Sequence, residues 1–240
     1  MIARIRLGAV DLSVVVPCYN EQARLPESLA GVRPFLEARG RSLELILVDD
    51  GSSDRTAALI RQAEQEHADV RPVLLSPNRG KGRALAEGVK VSRGGLVLLS
   101  DADFSTPIDQ LSNLEEAIVE GADVAIGSRA APGARELDQP FHRRVMGKAF
   151  NRVVQLLLLP GIWDTQCGFK LFRGDVAREL FGELETDRFA FDVEILHRAR
   201  KAGYEVREVP VRWINSGAST VSPIHDSVVM LRDLLRIRFR

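Results

Sequence analysis

The chain has 240 residues, 45% of them apolar, which allows one large α/β domain or two small ones. Its 33 Lys and Arg residues balance 33 Asp and Glu residues, so we expect no nucleic-acid partner. The two cysteines, Cys18 and Cys167, lack metal-site spacing and indicate free thiols in a reducing cytoplasm. The apolar run near the N-terminus is too short for a signal peptide or a membrane span. These features predict a chain that is soluble or at most lies on a membrane surface.

Strands and helices are predicted to alternate through the first half of the chain. The β-branched and apolar runs indicate strands at 12–16, 43–48, 71–75 and from 96 onward, with helices at 21–39, 55–66 and from about 80 to 91 between them. We expect Asn20 to cap the first of these helices. This pattern predicts a parallel sheet covered by helices on both faces.

Polar motifs follow three of these strands, at 17–21, 49–54 and 101–105. In a doubly wound sheet such strand ends lie along one edge, where ligands bind. Because no G-x-G-x-x-G follows the first strand, the site predicted is for a nucleotide but not of the dinucleotide kind.

Asp101 and Asp103 are separated by one alanine at the end of a buried strand. In an extended chain their side chains point the same way, and a divalent cation would relieve their repulsion. Oxygen ligands suit Mg²⁺ or Mn²⁺. The alternative is an ordinary solvated loop, because D-x-D by itself is common.

The segment 78–82, NRGKG, opens a helix but does not have the spacing of a Walker loop. Glycines beside a helix N-terminus suit a phosphate group, or they serve only the turn. Both interpretations remain open at this point.

The motifs P-x-Y-N-E, V-D-D-G-S-x-D, N-R-G-K-G and D-A-D, in this order, resemble the nucleotide-sugar domain of family 2 glycosyltransferases. GSR at 127–129, DTQCGFKLF at 164–172 and RFAFDVE at 188–194 resemble its dolichyl-phosphate (polyprenyl-phosphate) β-glucosyltransferases, close relatives of the dolichyl-phosphate mannosyltransferases. The resemblance implies a GT-A-type α/β domain over 1–225, with a donor half at about 12–129 and an acceptor half at about 130–225. A C-terminal basic amphipathic helix would follow at 226–240.

The resemblance also assigns roles to residues. It implies a metal site at Asp101 and Asp103, and a nucleotide-sugar pocket that further includes Pro17, Tyr19, Glu21, Val48, Asp50, Lys81 and Ala102. Asp50 would accept a hydrogen bond from the base, unless it only caps a helix. Arg129 would neutralise the diphosphate or position a lipid phosphate.

Two departures from the family pattern concern charge. Ser105 stands where the mannosyl relatives often have a Gln that contacts the metal, and Ser219-Thr220 stands where Ser-Lys is common. Without that lysine, positive charge for a phosphate must come from Arg129, Lys170 or nearby arginines.

Attack in line with departure of the diphosphate would invert the sugar linkage. A lipid phosphate is already ionised and needs little help from a base, whereas a sugar hydroxyl needs a carboxylate base. Asp164 and Asp192 are the candidates for that base. We favour Asp164, and the alternative is that Asp164 orients its loop.

Two helices are predicted to be basic and amphipathic. Arg144, Lys148 and Arg152 recur four apart within 141–159, and Arg232, Arg236 and Arg240 do so within 226–240. Such helices lie in a bilayer interface or pack on the domain with their arginines in water.

The main hypothesis is an inverting hexosyltransferase that uses UDP-glucose, rather than GDP-mannose, and a polyprenyl or dolichyl phosphate acceptor. It would be cytoplasmic, peripheral on the cytoplasmic face of a membrane. One alternative keeps the donor chemistry with a soluble sugar-type or glycerate acceptor. The other is a nucleotide-binding module without catalysis, and the presence of Asp50, Asp101, Asp103 and Arg129 argues against it.

Overall fold

The computed structural model describes residues 10–137, 141–215 and 223–239. The strands are β1 (Val10–Cys18), β2 (Leu43–Asp50), β3 (Val70–Leu75), β4 (Gly94–Leu99), β5 (Val124–Ser128), β6 (Arg135–Leu137), β7 (Lys170–Arg173), β8 (Val206–Pro210) and β9 (Arg212–Ile214). The helices are α1 (Leu25–Glu37), α2 (Thr56–Glu66), α3 (Lys81–Val91), α4 (Leu111–Val119), α5 (Phe141–Leu157), α6 (Gly174–Gly182), α7 (Phe191–Lys201) and α8 (Pro223–Arg238).

Seven strands form the main sheet in the order β3-β2-β1-β4-β7-β5-β8. All neighbouring pairs are parallel except those of β7, which runs antiparallel to both β4 and β5. The prediction of a mainly parallel α/β sheet is therefore confirmed. A small parallel pair, β6 with β9, lies apart from this sheet.

The two faces of the sheet build two hydrophobic layers, because side chains alternate along a strand. On β1, Val14 and Val16 pack with α1, α2 and α4, whereas Val15 packs with α3, α6 and α7. Central strands buried on both faces read as continuous apolar runs. This is why the sequence of β1, β2 and β4 shows little alternation between apolar and polar residues.

The first helix begins at Leu25, not at residue 21. Pro26 lies in its first turn, where proline is tolerated, and residues before it form a turn closed by the bond from the Arg24 amide to the Glu21 carbonyl, 3.0 Å. Asn20 does not cap this helix. Its backbone is left-handed (φ 54°), and its side-chain oxygen accepts from the Ser53 amide at 2.9 Å.

Helix α8 packs against α5 and α7, and its Leu234 and Ile237 are buried in the core on that face. It begins at Pro223 and ends at Arg238, within a few residues of the predicted helix at 226–240. Within the described residues, no helix combines the length and the apolar character that crossing a bilayer requires.

Candidate functional site

The loops that follow β1, β2 and β4 meet at one edge of the sheet, as the sequence predicts. The Asn20 amide donates to Ser52 Oγ (2.9 Å), and the Glu21 amide donates to Thr56 Oγ1 (2.7 Å). Arg24 Nη1 lies 3.8 Å from Asp103 Oδ2 and joins the third loop to the first. The three polar motifs therefore form one cleft at the carboxyl ends of adjacent strands.

Asp101 lies at the centre of this cleft between the two halves of the chain. Lys81 Nζ is 2.5 Å from its Oδ1, and its side chain is 37% exposed. On the other side, a Cβ added to Gly168 would lie 2.3 Å from Asp101 Oδ2, so a larger residue there would have to displace the carboxylate. Desolvation raises the pKa of this carboxyl, but the charges of Lys81, Lys170 and Arg129 outweigh it and hold the pKa below its ordinary value.

Asp103 is held by the turn that follows it. The Ser105 amide donates to its Oδ1 at 3.0 Å, and the Phe104 amide closes the turn on the Asp101 carbonyl at 3.1 Å. Phe104 has a left-handed backbone (φ 44°), which turns the chain sharply between Asp103 and Ser105. Ser105, the departure from the mannosyl pattern, is buried and orients Asp103 through its backbone.

The two carboxylates fit a hard divalent cation. Among the described residues, no group of three or more His, Cys, Asp and Glu side chains could hold a metal ion. Mg²⁺ commonly takes one or two protein carboxylates when substrate phosphates supply further oxygens. Asp101 and Asp103 would hold the ion, which would neutralise charge on a departing diphosphate.

The residues of the predicted base pocket differ in how far they are exposed. Tyr19 presents an exposed ring (44%), whereas the side chain of Val48 is fully buried in the sheet core, so only its backbone can face a ligand. Asp50 is 3% exposed and accepts from Asn78 Nδ2 (2.8 Å) and from the amides of residues 79 (3.0 Å) and 80 (2.7 Å). Asp50 therefore holds the 78–82 loop, and its contact with a base stays a prediction.

The Thr56 amide at the start of α2 donates to Asp54 at 2.9 Å, whereas the Asp50 carboxylate accepts from residues 78–80, so Asp50 does not cap that helix. The other predicted pocket residues lie around the same cleft. Pro17, the last residue but one of β1, pairs with Val48 of β2. Ala102 is buried between the two aspartates, and Arg24 donates to Glu21 at 2.5 and 2.7 Å.

The glycines of NRGKG serve close packing. A Cβ on Gly80 would lie 2.7 Å from the Asp187 carbonyl oxygen, and one on Gly82 would lie 2.5 Å from that of Thr186. The loop between α6 and α7 therefore lies directly against the start of α3. Lys81 of this motif reaches the carboxylate of Asp101.

Arg129 and Asp164 form an ion pair at the end of β5. Arg129 donates from Nε (2.7 Å), Nη2 (2.9 Å) and its own amide (2.9 Å) to the two carboxylate oxygens, and its guanidinium lies 5.5 Å from the centre of the Trp213 ring. Burial by itself would raise the pKa of the Asp164 carboxyl. The charge and hydrogen bonds of Arg129 have the larger effect and hold the pKa below its ordinary value. A carboxylate held in this way is a weak base, so the geometry favours the positioning role for Asp164.

Asp192 and Lys170 form a second pair, which is almost entirely buried (side chains 7% and 2% exposed). Lys170 Nζ also donates to the Cys167 carbonyl at 2.5 Å. Burial raises the pKa of the Asp192 carboxyl, and Lys170 opposes that shift without cancelling it. Lys170 is thus engaged inside the protein and does not present its charge to a phosphate.

The small sheet of β6 and β9 is bonded to the loop of the two aspartates. The Ile214 amide of β9 donates to the Ser105 carbonyl at 2.8 Å, so Trp213 and the small sheet follow the position of that loop. Ser219 and Thr220 lie outside the described residues, as do the side chains of Arg144 and Arg240.

Comparison with known proteins identifies the family. The sequence profile described as Glycosyl transferase family 2 matches residues 13–181. The chain belongs to glycosyl transferase family 2. This confirms the family predicted from the motifs and the class of enzyme, a hexosyltransferase.

The similar proteins include dolichyl-phosphate beta-glucosyltransferases of three organisms. This chain is 40% identical to the enzyme of Dictyostelium discoideum, over 96% of this chain and 75% of the relative. It is 37% identical to that of Homo sapiens (96% and 75%) and 34% identical to that of Saccharomyces cerevisiae (95% and 74%).

Solved structures share the fold at lower identity. Glucosyl-3-phosphoglycerate synthase from Mycobacterium tuberculosis in complex with UDP superposes with a TM-score of 0.69 at 18% identity, over 96% of this chain and 80% of that one. A mannosyltransferase from Pyrobaculum calidifontis in complex with GDP-Man and Mn²⁺ gives 0.65 at 22%, over 96% and 63%. These matches confirm the GT-A-like fold of the glycosyltransferase.

Sequence reasoning missed three residues that build the site: Arg24, Gly168 and Trp213. Gly168 could have been suspected, because a glycine inside a branch-specific motif often marks a close approach. The contacts of Arg24 and Trp213 depend on residues far away in sequence, and no local pattern announces them.

The exposed surface of α5 and α8 combines apolar and basic side chains. The exposed apolar residues on or next to these helices are Val145, Met146, Leu156, Trp163, Leu235 and Phe239. The exposed cations there are Lys148, Arg152, Arg232, Arg236 and Arg238. Leu234 and Ile237 face the core, so α8 is amphipathic, with a packed side and a basic, partly apolar outer side.

Proposed function

We propose that this glycosyltransferase transfers glucose from UDP-glucose to a polyprenyl phosphate of the dolichyl type, with inversion, to give a β-linked lipid-phosphate sugar. The observation that carries the proposal is the identity of 34–40% with dolichyl-phosphate beta-glucosyltransferases over nearly the whole chain. The donor site built from Asp101, Asp103, Lys81 and Arg24 provides the chemistry that such a transfer needs.

The state of the two candidate bases favours a phosphate acceptor. Asp164 is held by Arg129 and Asp192 by Lys170, each in an ion pair. A sugar hydroxyl would need one of them as a base, whereas the phosphate of a lipid is ionised near pH 7. Arg129, at the cleft end of β5, can then orient the acceptor phosphate toward the anomeric carbon.

On the donor side, the chain's own residues neutralise and hold the nucleoside diphosphate. Lys81 and Arg24 stand beside the carboxylates and can donate to diphosphate oxygens as charge develops on them. Mg²⁺ or Mn²⁺ bound at Asp101 and Asp103 would stabilise the same charge. Support for a divalent ion comes from the mannosyltransferase of P. calidifontis, whose structure contains Mn²⁺ with GDP-Man.

We also propose that α5 and α8 lie on the cytoplasmic face of a membrane. Their exposed Leu235, Phe239 and Leu156 supply apolar anchors, and the arginines around them suit anionic headgroups. Such a location would bring the cleft to a lipid phosphate that cannot leave the bilayer.

A donor screen tests the proposal. Purified protein is incubated with dolichyl phosphate in detergent and, separately, with UDP-glucose and GDP-mannose, and lipid-linked product is measured. We expect product from UDP-glucose, its loss in EDTA and its return with Mg²⁺ or Mn²⁺. Product from GDP-mannose alone would make the protein a mannosyltransferase, and no lipid-linked product from either donor would contradict the proposed acceptor.

A further inference from the structure

We propose that Lys81 and Arg24 act as built-in counter-cations of the D-x-D carboxylates, so that the divalent ion binds together with the nucleotide and only weakly to the free protein. This inference rests on the proposed donor function. It adds that the ion competes with two side chains of the protein for the same carboxylates. The ammonium and the guanidinium would exchange partners, from carboxylate to diphosphate, when donor enters.

Lys81 is placed on Asp101 by the fold. It is the first residue of α3, and its Nζ lies 2.5 Å from Asp101 Oδ1 and 5.9 Å from the centre of the Phe191 ring. The carboxylate of Asp101 lies between this ammonium and Gly168, since it fills the space that a Cβ on Gly168 would need, 2.3 Å from Oδ2. The ammonium therefore occupies a coordination position of the carboxylate that a metal ion would use.

Arg24 stands in the same relation to Asp103, at a longer distance. Its guanidinium is anchored by two bonds to Glu21, of 2.7 and 2.5 Å, which leaves Nη1 3.8 Å from Asp103 Oδ2. The other oxygen of Asp103 accepts from the Ser105 amide. Both carboxylates of the pair are thus compensated within the chain.

The charge balance decides which ligands bind together. A divalent ion that binds alone has to displace an ammonium from Asp101 and leave two cations beside it, which is unfavourable. A nucleoside diphosphate brings negative oxygens that accept from Lys81 and Arg24, so the cations are no longer stranded. The affinities for the ion and the nucleotide are therefore coupled, and by linkage each raises the other.

The test is a titration of Mn²⁺ into the full chain, with bound ion measured by electron paramagnetic resonance, without nucleotide and with UDP. Lys81→Met keeps the length and apolar stem of the side chain and removes its charge. The matched control is Lys90→Met on the same helix, whose side chain is 75% exposed and 3.7 Å from Glu87.

We expect Lys81→Met to bind Mn²⁺ alone at least about fivefold more tightly than the wild type, and to bind UDP in the presence of Mn²⁺ at least about fivefold less tightly. Opposite effects on the two ligands are the signature, because a merely structural defect would weaken both. Lys90→Met should change neither. Arg24→Gln should act in the same direction as Lys81→Met, and it keeps the test valid if the Lys81 variant fails to fold.

If removing the charge leaves the affinity for Mn²⁺ alone unchanged or weaker, the counter-cation role is wrong while the donor site stands. If wild-type protein binds no Mn²⁺ even with UDP and binds UDP equally well without the ion, the metal-assisted donor function fails, and this inference fails with it. The two failures are therefore distinguishable in one set of titrations.

Discussion

Arg129 and Asp164 form a three-bonded pair, in which the guanidinium and the amide of Arg129 both donate to the carboxylate of Asp164, at distances of 2.7–2.9 Å. The pair joins the end of β5 to the loop that leads into β7. Glu208 fixes that loop from the other side, because its carboxylate accepts from the amides of Trp163 (2.8 Å) and Asp164 (2.9 Å). The arginine that we assign to the acceptor phosphate is therefore held by a rigid frame.

Asp164→Asn tests whether Asp164 positions Arg129 or acts as a base. The amide keeps the shape but loses the charge and one acceptor, so we expect a higher KM for the lipid phosphate with a smaller effect on kcat. The pH dependence of kcat should keep its shape, because the proton balance of the reaction does not pass through this residue. A kcat that falls by orders of magnitude, with the acidic limb of the pH profile lost, would make Asp164 the base after all.

The same variant should change acid stability. Because the folded pKa of Asp164 lies below its unfolded value of about 3.9, the pair stabilises the fold fully above that pH, and the contribution is lost as pH falls through the folded pKa. The wild type should therefore lose melting temperature more steeply than Asp164→Asn below about pH 4. Equal slopes for the two proteins would contradict the lowered pKa.

Gly168→Ala should disable the donor site without unfolding the protein. The new Cβ would come within 2.3 Å of Asp101 Oδ2 and push the carboxylate off its position. We expect UDP affinity in Mn²⁺, measured by calorimetry, to fall by at least about tenfold, or about 1.4 kcal/mol. The control is Gly31→Ala in α1, where nothing lies within 4 Å of an added Cβ, and it should leave binding unchanged. Unaltered binding in Gly168→Ala would show that Asp101 has room to move.

The Lys170–Asp192 pair is expected to act on stability. Asp192→Ala strands a buried ammonium, and removal of one partner of a buried pair costs about 3–5 kcal/mol of unfolding free energy, measurable in urea. The double variant Lys170→Met, Asp192→Leu should recover much of that loss. If Asp192→Ala instead keeps its stability and loses transfer alone, Asp192 is chemically involved and the second candidate base is restored.

Features that depend on residues close together in sequence could be predicted from the sequence alone. The β-branched runs of β1 and β2 and the polar residues after them are local signals, and they sufficed to predict the sheet and its ligand edge. The D-x-D pair could be placed for the same reason, since a strand end is a local feature.

Contacts between distant residues could not be predicted. Nothing near Gly168 in sequence shows that it lies against Asp101, and nothing near Lys170 shows that its charge is buried on Asp192 instead of facing a phosphate. The sequence does not show whether the glycines of NRGKG serve a phosphate or the turn. The loop that packs on them, at Thr186 and Asp187, comes about a hundred residues later in the chain. The start of α1 was misplaced because Glu21 and Asn20 are used in loop-to-loop contacts.

The membrane-facing role that we propose for α8 predicts a specific loss of liposome binding. Replacing the exposed Leu235 and Phe239 by Ser should reduce flotation with anionic vesicles, and raising salt should reduce it further, because each arginine near the surface contributes about 1 kcal/mol that ions screen. Val119→Ser, at an exposed apolar position (63%) on α4 across the sheet, is the control. Wild-type protein that never floats at low salt would contradict the role.

The acceptor is the central claim, and a competition assay tests it most directly. The protein is given radiolabelled UDP-glucose, a divalent cation and equal amounts of dolichyl phosphate in detergent and 3-phosphoglycerate, and the label is partitioned between organic and aqueous phases. Reactions without acceptor, and with Asp103→Asn, correct for hydrolysis and contaminants. We predict label in the organic phase as a β-linked glucosyl phosphate lipid, whereas label in a water-soluble glucoside of phosphoglycerate, with none in the lipid, would contradict the account.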